Sequence, residues 1–343
     1  MIRFETIQQA RNLAKKKIRI NTFKWIEAAA ENGFTKDKNL FDLNAIKLVP
    51  KFLNKVGKID IKKNIFRNNY NSPIVLSPMG HQTQFHKLGE METAKGAKKA
   101  NILSYFGTQG RMSLGDISKK NKGLSFGWEI FPFGDLKWIN KEIELVKKNN
   151  CNSIVLCIDA NVRSHRYLDR ETFYDARKYG KRTNPLPQDV NRAKFYDWSL
   201  VKHIAQKSNM PLIVKGILTY QDALLAVKNG AKGIWVSNHG GRMFNSGIST
   251  VEALKNISPI KKYKKNTILI ADGGVEKGTD IIKYLCLGAD MVGIGRAALY
   301  GLILNGSDGV NKIFQILSRE LETAMINGGF RSFLDFNKKR IYE

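Results

Sequence analysis

From residue 74 onward, short apolar runs alternate with longer amphipathic stretches. The runs are Ile74 to Leu76, Ile102 to Ser104, Leu124 to Ile130, Ile154 to Ile158, Leu212 to Val214, Ile234 to Val236, Ile268 to Ile270 and Met291 to Ile294. Each is too short for a helix and apolar at consecutive positions, as a strand covered on both faces must be. Segments with helical spacing lie between them, such as Tyr220 to Asn229 and Gly278 to Leu287. Eight strands alternating with helices predict an α/β fold, a (β/α)8 TIM barrel, with a doubly wound open sheet as the alternative. Residues 1–73 then form a helical N-terminal cap, 74–302 the barrel and 303–343 C-terminal helices, all in one domain. The longest irregular stretch, Arg163 to Phe195 after the fourth strand, is expected to be a lid or mobile segment.

With 343 residues, 43% of them hydrophobic, the chain can bury a large core. No apolar run nears the roughly 20 residues that cross a bilayer, and the first residues lack a signal core. Cys151, Cys157 and Cys286 show no metal-ligand spacing and read as reduced thiols of a cytoplasmic protein that binds no metal. A net charge of +27 raises the question of nucleic acid. The lysines, however, come as short doublets spread from end to end, such as Lys62-Lys63 and Lys261-Lys262, with no nucleic-acid-binding motif. The charge reads as a solvated surface whose field steers an anionic substrate, and no nucleic-acid partner or stable membrane anchor is expected.

Candidate chemistry gathers at the predicted C-terminal strand ends. Asp159 ends the fourth strand, Lys215 the fifth, His239 the sixth, Asp272-Gly273-Gly274 the seventh and Gly295-Arg296 the eighth. In a barrel these positions converge on one cavity. A carboxylate beside an imidazole orients it and stabilises its protonated form. Arg242, three residues past His239, suits a carboxylate or phosphate, and the two glycine-containing ends suit a phosphate. His81, just past the first strand, is a candidate pocket residue.

Several of these stretches resemble the FMN-dependent L-2-hydroxy acid oxidase/dehydrogenase family. They are Val214 to Ile217, Gly233 to Arg242, Ile270 to Asp280 and Leu287 to Arg296, with weaker likeness at Glu31, Thr35, Asn39 and Glu320-Leu321. Asp159 to Val162 followed by Arg166 is most similar to the L-lactate oxidase branch. The resemblance implies that His239 is the base, paired with Asp159, and that Arg242 and Arg166 hold the substrate carboxylate. It implies an FMN site in which Lys215 lies by the flavin pyrimidine, and Pro78, Met79 and Gly80 pack on the ring. Ser104, Glu129, Cys157 and Ser237 would complete the ring's surroundings. Asp272 would lie near the ribityl chain, with Gly273, Gly274, Gly295 and Arg296 around the phosphate. The implied reaction is oxidation of a small, lactate-like L-2-hydroxy acid to the 2-oxo acid, with oxygen as acceptor giving hydrogen peroxide. A homotetramer is implied as well.

The chain also departs from the family pattern. Phe131 and Trp25 stand at substrate positions where tyrosines are expected, removing two hydroxyls. Each such hydrogen bond is worth about 1.5–3 kcal/mol when made to a charged group. Glu129 replaces a glutamine, Cys157 a threonine, Tyr105 a serine and Glu276 an arginine; Phe106 stands for a tryptophan or tyrosine. The alternatives are therefore a flavoprotein acting on a larger hydroxy acid or with another acceptor, and a degenerate FMN-binding protein.

Overall fold

The computed structural model describes residues 2–172, 182–187 and 190–342. Eight parallel strands close into a barrel. They are β1 (Ile74–Leu76), β2 (Leu103–Gly107), β3 (Phe126–Ile130), β4 (Ile154–Cys157), β5 (Leu212–Ile217), β6 (Gly233–Val236), β7 (Ile268–Ala271) and β8 (Met291–Ile294). Each pairs with its neighbours in sequence, and β8 closes on β1 through Val292–Ile74 to Ile294–Leu76. The open-sheet alternative is thereby removed. Two strands run three residues past the apolar runs that predict them, β2 to Gly107 and β5 to Ile217.

Alternating strand residues fill the barrel. Val75, Leu103, Tyr105, Val155, Ile213, Trp235, Ile270 and Met291 pack together, apart from the larger core between strands and helices. The Tyr105 and Trp235 rings meet edge to face at 5.4 Å. Their polar atoms are satisfied: Tyr105 Oη bonds Ser153 Oγ at 2.9 Å, and Trp235 Nε1 donates to Asp272 Oδ2 at 3.0 Å. A side chain at Gly127 would overlap the Tyr105 ring, so the missing Cβ there makes room for it. The hairpin Lys63–Ile65/Asn68–Tyr70 brings Ile65 and Tyr70 against this layer, filling the end of the barrel opposite the site.

The N-terminal segment packs helix Ile7–Lys17 on the long C-terminal helix Arg296–Gly328, which breaks at Asn305 and Gly306. The last strand, Ile341–Tyr342, pairs with Lys47–Leu48. Beside it Arg340 is buried, 3.7 Å over the Phe330 ring, with Nε donating to Val49 O. Of the expected lid, residues 173–181 and 188–189 lie outside the described residues. Its described parts are helix Tyr167–Glu171, the strip 182–187 and a short turn of helix at Arg192–Phe195. Among the described residues no helix is long and apolar enough to cross a membrane.

Candidate active site

The C-terminal strand ends open into a cavity of about 960 Å³. His239 stands at its wall just past β6, with a left-handed backbone (φ 58°) that non-glycine residues adopt only when the surroundings enforce it. Its amide donates to Ser237 Oγ, and its Nδ1 lies 3.1 Å from Asp159 Oδ1. Asp159 thus holds the proton on Nδ1 and leaves Nε2 as the basic nitrogen. Gly216 permits the approach: its φ is +103°, and a Cβ there would press on the Asp159 side chain at 2.6 Å. Burial and the Lys215 ammonium, 3.4 Å from Nδ1, push the imidazole pKa down against the pull of Asp159. Both influences favour the neutral ring, the form that can accept a proton.

Lys215 lies at the centre of a buried acidic group. Its Nζ is 3.9 Å from Glu129 Oε1; burial opposes its charge, but Asp159, Cys157, Glu129 and Asp272 hold its pKa above the usual lysine range. Asp159 is held below the usual carboxylate range by His239 and Lys215, although burial works the other way. Glu129 goes in the opposite direction. Burial pushes its carboxyl up to about 8, and Asp159 and Asp272 reinforce the push while Lys215 opposes it.

The arginines of the clamp are fixed through the cap. Arg242 Nη1 donates to the carbonyls of Trp25, Ile26 and Ala28, and its guanidinium lies 4.7 Å over the Trp25 ring. Ser164 Oγ ties the two arginines together, donating to Arg242 O and accepting from Arg166 Nε. Gly241 brings the cap close: at φ +73°, its Cβ would overlap the backbone of Lys36. Asn39 and Asn238, both buried, exchange two side-chain bonds of 2.8 Å across the same contact. Burial, Arg166 and Arg296 all press the Arg242 pKa down. A guanidinium stays charged regardless, so this crowding favours an arriving anion.

Most of the anticipated residues line the one cavity: Trp25, Pro78, Met79, Gly80, Glu129, Phe131, Arg166, Lys215, His239, Arg242, Asp272, Gly273, Gly274, Gly295 and Arg296. Asp159, Ser104, Cys157 and Ser237 do not. Asp159 and Ser237 stand behind His239. Cys157, buried on β4, directs its thiol to Asp159 Oδ1 at 3.0 Å, and Ser104 is buried within β2. Arg296 donates Nε to Ile26 O and Nη2 to Gly240 O, so part of its guanidinium fixes the cap. Residues not foreseen also line the cavity, among them Arg11, Glu27, Ser77, Arg111, Arg182 and Tyr300. Arg111 escaped notice because the second strand runs to Gly107, which moves the strand end, and hence the site, towards it.

The comparisons with known proteins agree with this geometry. The model of the FMN-dependent dehydrogenase family matches residues 14–343. The chain belongs to the FMN-dependent dehydrogenase family. It is 33% identical over 340 residues to 2-hydroxyacid oxidase 2 of Mus musculus, covering 94% of each chain. With L-lactate oxidase of Lentilactobacillus hilgardii the identity is 29% over 346 residues, covering 98% of this chain and 93% of the relative. The crystal structure of a lactate oxidase from Pediococcus acidilactici superposes with a TM-score of 0.89 at 30% identity, covering 99% of this chain and 95% of that one.

The residues present fit the FMN that the family uses. Three buried oxygens on the cavity wall, Ser77 Oγ, Glu129 Oε1 and Asp272 Oδ1, make no hydrogen bond among the described residues, which suits a polar heterocycle and its polyol chain. Gly273 (φ +104°) and Gly274 (φ +74°) turn the backbone where a phosphate can approach, in the same cavity as the start of helix Arg296–Gly328.

Proposed function

We propose that this FMN-dependent dehydrogenase family member oxidises an L-2-hydroxy acid to the 2-oxo acid, with oxygen as the final acceptor. The observation that carries the reading is His239, oriented by Asp159 at 3.1 Å, in the same cavity as Arg242 and Arg166. The two arginines fix the carboxylate and so the rotation of the substrate about C1–C2. His239 Nε2 takes the hydroxyl proton, and Asp159 stabilises the imidazolium that forms. Bound FMN supplies the two-electron sink for the C2–H bond. Lys215, kept charged by its acidic neighbours, lowers the energy of negative charge that builds up beside it. Phe131 and Phe133, stacked at 5.2 Å, keep water from the His239 side, and Phe131 meets the imidazole edge to face at 6.1 Å.

L-lactate meets the minimal demands of this arrangement, with its hydroxyl at His239 and its carboxylate at the arginines. In the same reading the chain works in the cytoplasm as a homotetramer; its cysteines, all free and buried, suit a reducing compartment. The test is anaerobic mixing of the yellow holoprotein with L-2-hydroxy acids. The flavin absorbance should bleach, then return with hydrogen peroxide when oxygen is admitted. A flavin that stays oxidised with every such acid overturns the reading.

A further inference from the structure

Glu129 is a buried carboxyl whose polar end is left to the cavity. It belongs to β3, is 3% exposed and lines the cavity wall. Its Oε1 makes no hydrogen bond among the described residues, and the Lys215 ammonium, at 3.9 Å, is too distant to donate one. Gly107 on the neighbouring β2 lets the two strands close in, since a Cβ there would press on the Glu129 Cβ at 2.7 Å. The Thr108 amide donates to the Glu129 carbonyl at 3.0 Å and fixes the backbone. Packing therefore holds this side chain, while its oxygen waits for a partner from the cavity.

The titratable groups that act on it come from three other strands and their ends. β5 supplies Lys215, β4 and its end supply Cys157 and Asp159, and Asp272 follows β7. β2 faces it with Gly107. Burial opposes the charge of Lys215, but its acidic neighbours keep the ammonium protonated into alkali. Burial likewise opposes the charge of Asp159, which His239 and Lys215 hold ionised. Burial keeps Cys157 a thiol and, with Lys215 at 3.4 Å, favours the neutral His239 ring. Asp272 is raised by burial and receives a bond from Trp235 Nε1. Glu129 is brought up to about 8 by burial, then by Asp159 and Asp272, against the pull of Lys215. On ionising, it sets a negative charge facing the ammonium in a dry site, where charges act strongly on one another. A glutamine, which the family pattern has here, keeps the shape and has no proton to lose.

We propose that Glu129 is a proton-linked control on the oxidising power of this site. As the neutral acid it leaves the Lys215 ammonium to the negative charge that reduction brings to bound FMN. As a carboxylate it engages that ammonium itself and opposes reduction. This rests on the reading of the cavity as the FMN site. Glu129 acts through Lys215 and is a positioning residue, not the base. The overall change is the same: the O–H and C2–H bonds of the substrate break and C2=O forms. Two electrons and two protons leave by way of His239 and bound FMN, and oxygen takes them up as hydrogen peroxide. Where Glu129 is ionised, it also takes a proton from solvent when FMN is reduced and returns it on reoxidation, because added negative charge tightens its hold on the proton.

The experiment is a redox titration of bound FMN in the wild-type holoprotein and in Glu129→Gln, from about pH 6 to about pH 10. Near the acid end both side chains are neutral, so the gap between the two midpoint potentials there is the reference. At the alkaline end the wild-type balance should have moved at least about tenfold towards oxidised FMN relative to the variant, about 30 mV for a two-electron couple. A second readout is proton uptake on anaerobic photoreduction in weak buffer. Wild type should take up more protons per FMN than the variant just above about pH 8, and the same number near the acid end. If the variant does not retain FMN, wild-type uptake decides alone: a rise on passing about pH 8 supports the proposal and a flat profile overturns it. A potential gap that stays constant across the range, or equal uptake at every pH, also overturns it. Neither readout uses a hydroxy acid, so failure here is distinct from a flavin that no 2-hydroxy acid bleaches.

Discussion

The two sides of the cavity balance charge in opposite ways. Around Lys215, three buried carboxylates (Asp159, Glu129 and Asp272) act on one ammonium. Around His81, the guanidiniums of Arg111, Arg182, Arg242 and Arg166 all press one imidazole's pKa down. The first side closes its account within the protein, setting one carboxylate well down and another up. The second gathers guanidiniums beside one imidazole. A site for moving a proton needs fixed internal charge, whereas a site for catching an anion needs concentrated positive charge.

Three substitutions break that contrast on its self-contained side. The largest effect is expected from His239→Ala, which removes the proton acceptor while leaving the arginines. Flavin reduction by a 2-hydroxy acid should slow by roughly 10²–10⁴-fold with the yellow colour kept. A variant bleaching at the wild-type rate in stopped-flow would take His239 out of the chemistry.

Next is Lys215→Met, which leaves the three carboxylates without their cation. A fall in unfolding free energy of about 3–5 kcal/mol, read from urea denaturation, is the expected result. An unchanged midpoint and slope would mean that the acids neutralise themselves by protonation, and the account of Lys215 as their counter-charge would be wrong.

Glu129→Gln should have the smallest effect, visible as a pH trend. Because folding raises the Glu129 pKa from 4.5 to about 8, the folded state holds this proton more tightly than the unfolded chain does. Its contribution to stability is full below the unfolded value and is lost as pH rises through about 8. The glutamine variant escapes that loss. Its melting temperature relative to wild type should therefore climb by a few degrees between about pH 5 and pH 8. A constant difference across that range would show that Glu129 does not titrate as described.

The barrel was legible because its strands are buried on both faces and so announce themselves as apolar runs. The same rule placed two strand ends too early. Tyr105, Gly107, Lys215 and Gly216 are not uniformly apolar, yet they belong to β2 and β5. His239, Arg242 and Asp272 could be read because each lies past a strand end that the pattern does mark, whereas Lys215, read as the end of the fifth strand, lies inside β5. Arg111 and Arg182 could not. Their position depends on how the strip 182–187 docks on the loop after β2, through backbone bonds that leave no mark in sequence. The reach of the cap was likewise hidden: Arg242 is a clamp residue by position, but three carbonyls of the cap hold its Nη1.

The packed layer of Tyr105 and Trp235 has a consequence for traffic. Both side chains are fully buried, and the hairpin with Ile65 and Tyr70 stoppers the barrel behind them. Among the described residues, that end of the barrel is closed. In the proposed reaction, product therefore leaves from the strand-end side of the barrel, where substrate enters. Excess product should accordingly inhibit in competition with substrate, since both need the same passage and the same arginines.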